Sequence, residues 1–152
     1  MTPSTPGTPE HAASTLSIRN RLPGTVTAVV PGEVMAVVTV RLTSGETLTA
    51  AITREAVTDL ALAEGSAVHA LVKSTEVALA TGPVKGLSIR NRLPGTVTAV
   101  TTGGAMASVK LTAGGGELTS VITREAVTDL GLAPGSAVVA LIKSTEVSVA
   151  TP

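Results

Sequence analysis

No cysteine, phenylalanine, tyrosine or tryptophan occurs in this 152-residue chain. Without cysteine there is neither a disulfide nor a thiolate metal site. Without aromatics the largest blocks of buried apolar area are missing. The core must therefore be built from Val, Leu, Ile, Ala and Met. Charge is scarce too: 14% of residues are charged against 43% hydrophobic, with a mean hydropathy of +0.44. So little charge cannot coat two separate small surfaces, and much of the surface is expected to be covered by other copies of the chain. The formal net charge is zero, which offers nucleic acid no broad electrostatic footprint. No apolar run approaches the ~18 residues of a membrane span. Met1–His11 has neither the basic region nor the apolar core of a secretory signal. A cytoplasmic protein is expected.

What is present is present twice. Leu16-Ser17-Ile18-Arg19-Asn20-Arg21-Leu22-Pro23-Gly24-Thr25-Val26-Thr27-Ala28-Val29 returns unchanged as residues 87–100. Ile52–Leu60 recurs as Ile122–Leu130, and Lys73-Ser74-Thr75-Glu76-Val77 recurs as Lys143–Val147. The offset between copies is 71 at the start, 69 at Leu42/Leu111 and 70 from Leu48/Leu118, so all slippage falls in the part richest in turn residues. One small domain is written twice, at residues 16–81 and 87–151, with 82–86 as linker. Residues 1–15, rich in Pro, Ser and Thr and including His11, are expected to form a disordered tail.

Each copy reads as mainly β. Leu16–Arg21 predicts a short strand, Leu22-Pro23-Gly24 a turn, Thr25–Val30 a strand and Pro31-Gly32-Glu33 another turn. Val34–Leu42 and Thr47–Ile52 predict a hairpin around Thr43–Glu46, whose counterpart at residues 112–117 is expected to be longer. Thr53–Leu60 breaks the alternation. Thr53 suits an N-cap, Glu55 the first turn, and Ala56, Val57 and Leu60 share a face, predicting a short helix ended near Glu64-Gly65 and near Pro134-Gly135. Ala67–Lys73 and Glu76–Thr81 predict two more strands. The sum is two tandem OB-like small β-barrels, each with one short helix. The linker Gly82-Pro83-Val84-Lys85-Gly86 spans under about 20 Å, so the barrels must touch.

Enzyme chemistry has little support. His69 is replaced by Val139 in the second copy, and no nucleophile elbow, phosphate loop or ligand-spaced His/Asp/Glu cluster occurs. Glu55 and Asp59 fit a solvated helix face better than a catalytic pair. Both copies instead keep groups that seek anions. Ser17, Arg19 and Arg21 alternate along the expected first strand, Thr53 stands at a helix start, and Lys73-Ser74-Thr75 adds an ammonium and two hydroxyls. The opening-strand groups and the Thr53/Lys73 groups lie far apart along the chain, and are expected to meet from different barrels.

The Ser-x-Arg-Asn-x-Leu-x-Gly opening, the Ile-Thr-x-Glu-x-Val helix and the Lys-Ser-Thr-Glu-Val close resemble the Mop domain of molybdenum-pterin-binding proteins, the molbindins. Two in tandem are similar to the di-Mop form, and the likeness covers residues 16–81 and 87–151. The resemblance implies an OB-like barrel, a homotrimer, and molybdate or tungstate as ligand at interfaces between barrels. It implies no catalytic cofactor, and a metal bound only as its oxyanion. The family's oxyanion ligands fall on Ser17, Arg19, Thr53, Lys73 and Ser74, and on Ser88, Arg90, Thr123, Lys143 and Ser144. Ala56 and Ala126 stand where some relatives have a second hydroxyl, leaving only a backbone amide.

A store of tetrahedral oxyanion needs donors alone, because MoO₄²⁻ has four acceptor oxygens and nothing to donate. The alternatives are a molybdate-responsive sensor acting on a partner and a nucleic-acid-binding OB module. A sensor would be expected to carry a helix-turn-helix ahead of the barrels, where residues 1–15 read as a Pro-rich tail. The OB module lacks aromatic platforms and a basic groove.

Overall fold

The computed structural model describes residues 16–152; the tail expected at residues 1–15, with His11, lies outside the described residues. The first repeat forms β1 (Asn20–Pro31), β2 (Met35–Leu42), β3 (Thr47–Thr53), α1 (Arg54–Asp59), β4 (Ala67–Val72), a 3-10 turn (Ser74–Glu76) and β5 (Ala78–Ala80). The second forms β6 (Asn91–Thr102), β7 (Met106–Ala113), β8 (Gly116–Thr123), α2 (Arg124–Leu130), β9 (Ala137–Ile142), a 3-10 turn (Ser144–Glu146) and β10 (Ser148–Ala150). The molecule is mainly β, as expected, in two curled five-stranded sheets.

The sheets are not made from one repeat each. Their orders are β10-β4-β1-β2-β3 and β5-β9-β6-β7-β8. The last strand of each repeat crosses over and pairs antiparallel with the other: Val149 lies opposite Ala70, and Leu79 opposite Ala140. A single apolar core results. Leu22, Val38, Val40 and Leu48 share it with Leu93, Val109, Leu111 and Leu118, all essentially without solvent exposure. The alternation of β2 explains its contribution, since Ala36, Val38, Val40 and Leu42 point inward while Met35, Val37 and Arg41 point out.

Expectations are corrected in three places. Pro23-Gly24 is not a turn, because β1 runs through it without a break. Along Asn20–Thr25 the strand pairs with β4, and from Gly24 to Pro31 it pairs with β2. Pro23 thus has a ladder neighbour on one side only, where a missing N–H is tolerated. Gly24 takes the overlap, where both partners crowd it: a Cβ there would lie 2.6 Å from the Arg41 carbonyl oxygen. The strand expected at Leu16–Arg21 also begins later, at Asn20.

The second correction concerns the hairpins. Gly24 pairs with Leu42 and Gly95 with Ala113, so the true offset stays at 71 to the end of β2 and β7. The first hairpin then loops through Thr43-Ser44-Gly45, closed by the Leu42 N–H to Glu46 carbonyl bond at 2.8 Å. The second turns in two residues, Gly114 and Gly115, at φ of 63° and 84°. It is shorter than the first, not longer. This is the two-residue hairpin whose backbone matches strand twist and requires positive φ at both positions. Gly114 is wedged against Leu22, Leu42 and Leu93, so the tight turn also lets the two repeats close on each other.

Third, the helices stop earlier than expected. α1 ends at Asp59 with Ala61 at φ 52°, and α2 ends at Leu130 with Gly131 at φ 63° as its left-handed cap. The strand expected at Glu76–Thr81 is a 3-10 turn followed by the short exchanged strand.

Candidate functional site

The β1–β4 register sets the geometry. Asn20 pairs with Val72, so the next residue outward on each side is Arg19 and Lys73. Asn91 pairs with Ile142 in the same way, which puts Arg90 and Lys143 together beyond the ladder's end. Two cations are thereby set side by side, both exposed. In the second repeat they line one cleft of about 270 Å³ with Ser88, Ile89, Ser144 and Thr145. The lining holds two cations, three hydroxyls and no carboxylate. Like charges lining one cleft repel, and an anion between them turns that repulsion into attraction.

The cleft overturns part of the expected arrangement. Lys143 was expected beside Thr123, opposite Ser88 and Arg90 from another barrel; it lies with Ser88 and Arg90 of its own repeat. Ser17 and Arg19, like Ser88 and Arg90, precede their strand, so alternation along a strand is not what aligns them. Arg92 leaves the set. Arg92 donates to the backbone carbonyls of Ile89 at 2.9 Å, Val84 at 3.1 Å and Leu87 at 2.8 Å, pinning the linker to its own opening segment.

Thr53 and Thr123 are the N-caps expected: each side chain accepts from the Ala56 or Ala126 amide at 3.1 Å and keeps its own hydroxyl hydrogen to donate. They do not join the Arg/Lys cleft within one chain. Thr123 lines a separate hollow of about 610 Å³ with Arg124, Glu125, Thr128 and Asp129, where two carboxylates disfavour an anion.

Asn20 and Asn91 are the residues that sequence reasoning missed. Both are buried, and both reach into the other repeat. Asn20 Nδ2 donates to the Thr119 carbonyl and its Oδ1 accepts from the Thr119 N–H, each at 2.8 Å. Asn91 does the same with Thr49 at the same distances, and the Thr49 hydroxyl lies 2.8 Å from that of Ser144. A second tie is the buried Ser120, whose hydroxyl donates to the Val77 carbonyl at 2.6 Å. The clue was in the pattern: Ile18, Asn20 and Leu22 share one parity, so an amide stands on the buried side. The site's floor is therefore built from one repeat and braced by the other.

Among the described residues no group of His, Cys, Asp and Glu could hold a bare metal ion. Nor is any helix long and apolar enough to cross a membrane. The TOBE domain family matches residues 16–79 and 87–149. The molybdenum-pterin-binding protein MopA of Rhodobacter capsulatus is 42% identical over 95% of this chain and 58% of its own length. The molybdenum transport protein ModE of Azotobacter vinelandii is 39% identical over 88% of this chain and 50% of its own length. The chain thus spans little more than half of these curated relatives. A solved structure of the cytoplasmic molybdate-binding protein ModG, with molybdate bound, is 43% identical and superposes with a TM-score of 0.85, covering 90% of this chain and 99% of that one.

Proposed function

The chain belongs to the TOBE-domain family, as a tandem protein of the Mop type, and on that premise we propose that it binds and stores molybdate or tungstate in the cytoplasm. The observation that carries this is the cleft where Arg90 and Lys143 meet with Ser88, Ser144 and Thr145 and no carboxylate. A donor-only lining suits a fully deprotonated dianion and penalises hydrogen phosphate, whose own hydrogen would face another donor. Nothing in the cleft offers a nucleophile paired with a base, so the action is binding, not catalysis.

Self-association is part of the same proposal. Val30, Val34, Met35 and Val37 are exposed, with Val34 at 73%. Val37 lies opposite Val30 and Met35 opposite Thr53, so this apolar face adjoins the helix start. A homotrimer that covers it brings a neighbouring copy to Thr53, whose hydroxyl then has an anion within reach across the interface. Thr53, Ala56, Thr123 and Ala126 take part in binding only through such contacts.

Native mass spectrometry with and without molybdate tests both parts. The expected result is a trimer that gains molybdate in whole numbers per chain. A monomer that takes up none overturns the proposal.

A further inference from the structure

The two copies of the cleft are alike in sequence but not in what braces them. On the second, the Thr49 hydroxyl donates to Asn91 Oδ1 at 3.2 Å and lies 2.8 Å from Ser144 Oγ. A hydroxyl has one hydrogen. The Thr49 and Ser144 hydroxyls share one hydrogen bond, whichever of them donates. Beside Thr49 on the ladder stands Thr39, an uncharged neighbour.

On the first copy the bracing residue is Thr119, against which the Ser74–Glu76 turn packs through β8. Its ladder neighbour is Lys110, the counterpart of Thr39. Lys110 Nζ donates to the Thr119 hydroxyl at 3.3 Å. An ammonium only donates, so the Thr119 hydroxyl accepts from Lys110. The same contact holds a third cation at Thr119, whose backbone is gripped by Asn20, the neighbour of Arg19 in the chain. The chain carries two copies of its ligand set, yet Lys110 has no equivalent on the other side.

We propose that the two oxyanion sites differ in affinity: Lys110, held on Thr119, makes the site of Ser17, Arg19, Lys73 and Ser74 the tighter one, and the site of Ser88, Arg90, Lys143 and Ser144 the weaker. This rests on the oxyanion-binding function proposed above. An extra positive charge some three hydrogen-bond lengths from a dianion, in largely aqueous surroundings, favours it by about fivefold at low salt.

Isothermal titration of the whole chain with sodium molybdate tests it. Wild type is expected to show two classes of site, with affinities about fivefold apart at low ionic strength and converging in 0.5 M salt as charge is screened. Lys110→Thr should merge the classes without changing the total bound, and Lys110→Arg should keep them apart. Thr39→Lys should tighten the weaker class. Lys110 is exposed and threonine suits a strand, so the fold is retained; circular dichroism checks that. Wild type that binds molybdate with affinities Lys110→Thr leaves unchanged overturns this inference alone. Wild type that binds none overturns the storage function and the inference with it.

Discussion

Asn91 grips the backbone of Thr49 with both ends of its amide, donating to the carbonyl and accepting from the N–H at 2.8 Å each, across a gap of 42 residues in the chain. The Asn91 amide itself is out of water's reach, since the residue is 2% exposed. The pair therefore fixes the ends of two different strands against each other, and with them the floor of the cleft.

Replacing Asn91 by Ala should cost about 1–3 kcal/mol, because it leaves a part-buried donor and acceptor of Thr49 without their partner. Asn20→Ala should cost as much through Thr119. Asn91→Asp should be no milder, since a carboxylate cannot donate to the Thr49 carbonyl and is expensive to bury. Chemical denaturation measures all three, and stability within 0.5 kcal/mol of wild type would contradict the bracing role.

Arg90→Ala and Lys143→Ala should each weaken molybdate binding roughly ten- to a hundredfold while leaving the melting temperature near its original value. Arg92→Ala should do the reverse, lowering stability by releasing three backbone carbonyls and sparing most of the affinity. Equilibrium dialysis beside thermal melts separates the two kinds of arginine.

Mixing an Arg19/Arg90 double alanine variant with a Lys73/Lys143 double alanine variant should not restore binding, even when mixed oligomers form. Arg90 and Lys143 line one cleft of one repeat, so every such site lacks a cation whichever subunits are combined. Recovery of binding in the mixture would show that the cations meet between subunits.

Gly24→Ala should destabilise the protein by about 1–3 kcal/mol, the usual cost of forcing a methyl into full space. Its Cβ would fall 2.6 Å from both the Arg41 carbonyl oxygen and a methyl of Val40. At this chain length that is a loss of roughly 2–4 °C for each kcal/mol in a thermal melt. A melt unchanged from wild type would mean that the strand relaxes at no cost.

The duplication, the mainly β class and the caps at Thr53 and Thr123 were legible because each depends on neighbours close along the chain. A hydroxyl three residues ahead of an amide is a local fact. The passage of β1 through Pro23-Gly24 was not legible. Pro and Gly read locally as a turn, and only the change of partner from β4 to β2 shows why they sit inside a strand. Hairpin lengths misled for a similar reason: aligning Leu42 with Leu111 matched residue types, whereas ladder register matches Leu42 with Ala113. The cations of the site could be listed from sequence. That Arg90 meets Lys143 is a consequence of one antiparallel pairing between residues 51 apart, Asn91 and Ile142, which no local signal encodes.

The exchanged strands β5 and β10 bear on how such a chain could have come to be double. A lone repeat would leave the edge of its fourth strand bare along His69–Leu71 and its own last strand without a sheet. The one surface complementary to both is a second copy, so single repeats would pair off reciprocally, at a rate and extent set by their concentration. Joining them through residues 81–90 turns that encounter into an intramolecular one, with a partner always present at an effective concentration of order millimolar. Once joined, the halves no longer need to be identical. Positions such as Thr39 and Lys110, or Val37 and Ser108, are free to drift apart, and a symmetric pair becomes a molecule with two different sides.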